Sequence, residues 1–171
     1  VPAVLRRLSR EAPGIQCHVE QISQTSLSRL EYGDADLCLV LDSLRFFGVR
    51  AYPESLRIAE IRPVHWVCMV WNEHPTVGDS LTLEEYLALP HVFARPNGQT
   101  TPIEEFVRRL LHMDIDVRAT AQSLLAVPFM LPGTPLVATV PERIASLLAP
   151  VVATKTLPVP FEMPMAREIV L

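Results

Sequence analysis

Ser123, Arg95, Thr100 and Thr101 are the residues whose type and position best suit holding a small ligand. Ser123 precedes the apolar run Leu124–Leu131, where a helix is expected to begin. The first N–H groups of a helix lack intrahelical partners and carry partial positive charge, which suits a carboxylate or phenolate. The same serine is a good N-cap, and one residue can do both. Arg95-Pro96-Asn97-Gly98-Gln99-Thr100-Thr101 is a polar loop after the apolar run His91-Val92-Phe93-Ala94. It leads into Thr101-Pro102-Ile103-Glu104, a capping-box pattern with Pro at the first helical position, so a second helix N-terminus is expected beside one cation. Arg95 is equally an ordinary surface arginine. Phe93 and Phe129 read as pocket lining or plain core, and His91, after Pro90, as a ligand contact or a hydrogen-bonded structural histidine. Trp66 and Trp71 share one strand at odd separation and point to opposite faces, so at most one of them faces a cleft through that strand.

Catalysis finds little support. The five histidines show no H-E-x-x-H spacing, and no Ser or Cys occupies a nucleophile elbow. A constellation assembled from distant parts of the chain stays open. Cys17, Cys38 and Cys68 are not paired at metal or redox spacing and sit in apolar runs, which reads as buried, reduced thiols of a cytosolic protein. No catalytic residue, cofactor or metal site is expected.

These residues need a scaffold, and the composition supplies one. Of 171 residues, 49% are hydrophobic and 20% charged, with a net charge of −4. A packed core is expected, without the clustered basic footprint of a nucleic-acid-binding surface. No secretory leader pattern is present. Ala119 to Pro141 is uncharged and long enough to span a bilayer, but Pro128, Pro132, Gly133 and Pro135 interrupt it, so it reads as a short buried helix, a turn and a buried strand.

Helical spacing predicts a helix over 3–12, stopped by Pro13-Gly14, and alternation predicts a half-buried strand over 15–22. A short helix from Ser26 ends at Gly33, and Asp36–Leu41 reads as a strand covered on both faces. Ser43 to Tyr52 reads as loop or irregular helix. Strands follow at 65–71, 91–94, 115–121, 136–140 and 168–171, with helices from Thr82 (a second capping box), Thr101, Ser123 and Pro141, and a Pro-rich extended stretch over 157–164. This alternation predicts an α/β fold with mostly parallel sheets.

The order of motifs resembles the effector-binding domain of LysR-type transcriptional regulators. Pro2…Leu5…Leu8…Glu11-Ala12-Pro13-Gly14 is similar to their first helix, and Gly33-Asp34-Ala35-Asp36-Leu37 to their step into the second strand. Val67-Cys68-Met69-Val70…His74-Pro75 resembles the crossing strand. Leu81–Tyr86 with His91-Val92, and Leu136–Ala145, resemble two further segments and lie nearest the NahR/NodD branch, whose members sense aromatic acids or flavonoids.

The resemblance implies a type 2 periplasmic-binding-protein-like fold: lobe I over 1–70 plus 159–171, lobe II over 71–158, and two crossing strands near Val67–Trp71 and Leu157–Pro164. It implies a ligand in the inter-lobe cleft, at the carboxyl ends of strands. The family places an effector contact at the position of Ser123, and Thr139 falls in a segment near the cleft, although a helix-start role accounts for it equally. The implied ligand is an aromatic acid or phenolic. The implied partners are DNA, through an N-terminal helix-turn-helix not in this chain, and further copies in a homo-oligomer: paired effector domains, and a tetramer of the full-length protein. The chain then reads as a piece trimmed at both ends, with ligand contacts before residue 1 missing. The second reading is an extracytoplasmic solute-binding protein of the same fold, which a leader peptide upstream would mark.

Overall fold

The computed structural model describes residues 2–20, 23, 25–42, 52, 55–112, 115–163 and 166–171. Of the segment Ser43 to Tyr52, expected as loop or irregular helix, residues 43–51 lie outside the described residues. Among the described residues, helices α1 (Pro2–Glu11), α2 (Ser26–Glu31), α3 (Leu83–Ala88), α4 (Pro102–Leu111) and α5 (Glu142–Leu148) accompany eight strands. These are β1 (Leu39–Leu41), β2 (Ala59–Val64), β3 (Trp66–Trp71), β4 (His91–Ala94), β5 (Val117–Ala121), β6 (Val137–Pro141), β7 (Thr154–Pro158) and β8 (Ala166–Val170).

Two sheets result, one of three strands in the order β1-β8-β2 and one of five in the order β5-β4-β6-β3-β7. The α/β class is as expected, but the pairing is mixed rather than mostly parallel. Only β4 with β5 and β4 with β6 are parallel, while β3 is antiparallel to β6 and β7, and the smaller sheet is antiparallel throughout. The reason is the route of the chain. It enters the larger sheet on β3 and leaves it on β7, its neighbour, so β3 must run against the strands beside it.

β3 shows why a continuous apolar run forms here. Trp66, Cys68 and Val70 face a core that includes Tyr86 and Leu89 near α3 and Ile103 and Val107 of α4. Met69, with Val67 partly buried, faces a second core with Val127, Leu131 and Ala145. The sheet is thus covered on both faces, as such runs require. The box at Thr82 forms: its Oγ1 accepts from the Glu85 N–H at 3.2 Å, and Glu85 Oε2 accepts from the Thr82 N–H at 2.7 Å.

Three local expectations fail, and one strand, β2, was not foreseen. Residues 15–20 are exposed and irregular, not a half-buried strand, because no described segment offers them a ladder. The strand expected over Asp36–Leu41 is shortened to β1, an edge strand with Leu37 exposed before it, not one covered on both faces. β2 carries charge and Pro63, so it has no strand-like pattern. As an edge strand it tolerates the proline, and Arg62 pairs with Glu168 at 2.6 Å across the ladder. Finally, 124–131 is a turn leading into a 3-10 segment (Val127–Met130), not an α-helix. Its bonds span three residues, Val127 N–H to Leu124 O and Phe129 N–H to Ala126 O, because Pro128 has no N–H to give to Leu124.

Candidate ligand site at the edge of the larger sheet

The strand directions bring five segment ends to one edge of the five-stranded sheet. β4, β5, β6 and β7 end there and β3 begins there. The edge is tied laterally by the Arg95 N–H to Ala121 O (2.7 Å) and the Glu142 N–H to His65 O (2.8 Å). Both connections to the smaller sheet leave from it, through His65 on the way in and residues from Val159 on the way out.

A cavity of about 560 Å³ opens where these connections meet, lined by His65, Trp66, Val67, Glu142, Thr156, Leu157, Pro158 and Val159. Trp66, only 7% exposed, is among the lining residues, and its side chain belongs to the core with Tyr86 and Leu89. Its Nε1 is buried and has no hydrogen-bond partner. A buried donor left unmet costs about 1–3 kcal/mol, so this atom needs an explanation.

The expected site residues separate into groups. Arg95, Thr100, Thr101 and Ser123 lie at this edge, after β4 and β5. Arg95 is not a free cation: Nε and Nη2 donate to the two oxygens of Glu104 at 3.0 and 2.5 Å, and Arg108 Nε stands 3.4 Å from the same carboxylate. The Glu104 hydrogen bonds hold the Arg95 guanidinium above its usual pKa. That pair also corrects the second expected capping box. Glu104 turns to Arg95 instead of reaching back, and Thr101 makes no cap, its Oγ1 buried without a partner. Thr100 is exposed. Ser123 is half-buried and its Oγ accepts from the Leu125 N–H at 3.3 Å, but with no α-helix behind it the expected helix-dipole attraction for an anion is absent.

His91, Phe93 and Thr139 are interior. His91 is fully buried and its Nε2–H donates to Tyr86 O at 2.9 Å. Burial drives its pKa down to about 4, so the ring is neutral. It stacks on Phe93 with centroids 5.8 Å apart. Thr139 is hydrogen-bonded to the Tyr86 hydroxyl at 2.8 Å. Phe129 is 60% exposed on the 3-10 segment. His65, Glu142 and the 156–159 wall were missed by reading the sequence. The signal was indirect: 157–159 lie in one crossing segment and His65 lies near the other, while Glu142 carried none.

Among the described residues there is no cluster of three or more metal-ligating side chains, and no helix is long and apolar enough to cross a membrane. Burial raises the Cys68 thiol to about 12.

Two layered α/β units joined by two adjacent connections, with a cavity at the joint, define a type 2 periplasmic-binding-protein-like ligand-binding domain. The chain belongs to the LysR substrate binding domain family, whose model matches residues 1–171. It is 28% identical over 162 residues to nodulation protein D 1 of Rhizobium leguminosarum bv. phaseoli, covering 94% of this chain and 49% of that protein. It is 26% identical over 170 residues to the HTH-type transcriptional activator NahR of Pseudomonas putida, covering 96% and 53%. Its fold matches the crystal structure of a probable transcriptional regulator from Pseudomonas aeruginosa with a TM-score of 0.87 at 24% identity, covering 99% of this chain and 56% of that one. The chain thus spans about half the length of these proteins, two of which are described as a transcriptional activator and a probable transcriptional regulator.

Proposed function

We propose that this chain is the effector-sensing unit of a LysR-type transcriptional regulator, which takes a small aromatic acid or phenolic at the joint between its sheets and acts on transcription through DNA-binding and oligomer contacts made by the whole protein in the cytoplasm. The observation that carries this reading is the cavity lined by both connections. A ligand held there touches both connections between the sheets, so its affinity differs between open and closed states and shifts their populations. On this reading lobe I is built on the smaller sheet, lobe II comprises 66–158, and 159–163 connects them along the core of the larger sheet. Hydrogen bonding of the whole of β3 within the larger sheet supports that boundary over one after residue 70.

DNA binding and oligomerisation are proposed for the whole protein on the strength of the family and of NahR's description as an HTH-type activator. Two experiments test the reading. The gene upstream of Val1 should encode a helix-turn-helix, and a leader peptide there would instead favour solute capture. Aromatic acids and phenols should raise the thermal midpoint of the protein, with binding lost when Val159→Trp fills the cavity. Stabilisation that survives Val159→Trp removes the cavity assignment.

A further inference from the structure

His65, Glu142 and Thr156 are exposed polar members of the cavity lining. None of their side chains has a hydrogen-bond or ion-pair partner among the described residues. Glu142 and His65 are joined through the backbone, where the Glu142 N–H donates to His65 O at 2.8 Å, which leaves the carboxylate free to meet what enters. It is the one carboxylate of a lining that holds no lysine or arginine. Arg143, next on α5, is not among the lining residues, and Arg95, at the same edge of the sheet, is already held by Glu104. The buried Trp66 Nε1 is shut away from solvent and offers a ligand nothing. Val67, Pro158 and Val159 add apolar surface.

We propose that Glu142 is the specificity-determining acceptor of this cavity, taking a neutral phenol through its hydroxyl and turning away an aromatic carboxylate of similar shape. This rests on the reading of the cavity as the effector site and narrows it from two ligand classes to one. A phenol O–H donates to the carboxylate in a charge-assisted hydrogen bond, which is stronger than a neutral one. A ligand carboxylate brings a second negative charge to a lining without a fixed cation, and like charges in contact repel. The Thr156 hydroxyl can donate or accept, so it does not choose between the two. An imidazole supplies a counter-charge when protonated, so the choice is cleanest above the ordinary histidine range.

The test titrates 4-ethylphenol, its methyl ether 4-ethylanisole and 4-ethylbenzoate by calorimetry at pH 8, where an ordinary imidazole is uncharged and a phenol is not yet ionised. The phenol should bind about tenfold more tightly than the ether, the low end for a hydrogen bond to a charged group because this carboxylate is exposed. The benzoate should bind most weakly, and added salt should narrow its deficit. Glu142→Gln keeps the length and an acceptor but removes the charge. It should strengthen benzoate binding about fivefold, the effect of two charges about 4 Å apart at water-like screening, remove the salt dependence, and cut the phenol preference to about threefold or less. The ligand-free thermal midpoint of Glu142→Gln should be unchanged, since the side chain has no partner to lose. Val159→Trp identifies binding in the cavity by abolishing it. Equal binding of phenol and ether, a benzoate that binds best, or preferences untouched by Glu142→Gln overturns the role of Glu142 and leaves the cavity reading standing. Failure of all three to bind, or binding indifferent to Val159→Trp, overturns the cavity reading and the proposal together.

Discussion

Arg95 and Glu104 form a two-pronged ion pair in which the partners differ sharply in burial: the arginine side chain is 29% exposed and the carboxylate 0%. The asymmetry has a consequence. Without Arg95, Glu104 is left with Arg108, 3.4 Å away, among the described residues, and its side chain is buried from water. Without Glu104, Arg95 can turn outward. Arg95→Ala should therefore cost about 3 kcal/mol, in the range for a buried charge stripped of a partner, and Glu104→Gln clearly less. Urea unfolding of both variants checks the order. Equal losses would mean that the loop, not the buried charge, sets the cost.

His91 makes the fold sensitive to acid. Its pKa is about 4 in the folded chain against an ordinary 6.5, so the unfolded chain binds its proton first. A depressed folded pKa gives stability that is fully present above pH 6.5 and lost as pH falls towards 4. The loss from this one group reaches about 3 kcal/mol. Unfolding free energies between pH 7 and 4.5 should show this slope, and His91→Gln should flatten it. An unchanged slope in His91→Gln would assign the acid sensitivity to other groups.

How far these features could be read from the chain depends on how local their causes are. The capping box at Thr82 involves residues three apart and was legible, as was β3, whose unbroken apolar run states that both faces are covered. The box at Thr101 looked the same on paper. It fails because Glu104 has a stronger partner nine residues back, which spacing rules do not weigh. The Ser123 helix failed for a local reason, since Pro128 removes the bond that would extend it. The cavity was illegible, because His65, Glu142 and Thr156 are distant in sequence and meet only through the β3 pairings with β6 and β7.

Thr82→Ala should cost about 1 kcal/mol, since the hydroxyl and the Glu85 carboxylate satisfy two otherwise free N–H groups at the start of α3. Thermal unfolding measures this. Thr101→Ala is the control: its hydroxyl caps nothing, so it should be nearly neutral or slightly stabilising. A similar loss at both positions would show that Thr101 does cap in solution.

Phe161 ties the return connection to the interior of the larger sheet. Its ring meets Tyr86 edge to face, with centroids 5.3 Å apart, and Tyr86 is fully buried and hydrogen-bonded to Thr139 of β6. Val159 and Met163 pack against the same core. The segment after β7 is therefore anchored to the larger sheet. Any bending between the two sheets should then concentrate beyond it, nearer β8. Phe161→Ala should remove about 1 kcal/mol of aromatic contact along with the apolar area it buries. It should also raise hydrogen exchange at 159, 161, 162 and 163 while leaving β4 and β6 protected. Exchange rising equally across β4 and β6 would mean that Phe161 supports the core as a whole and that the connection has no separate anchor.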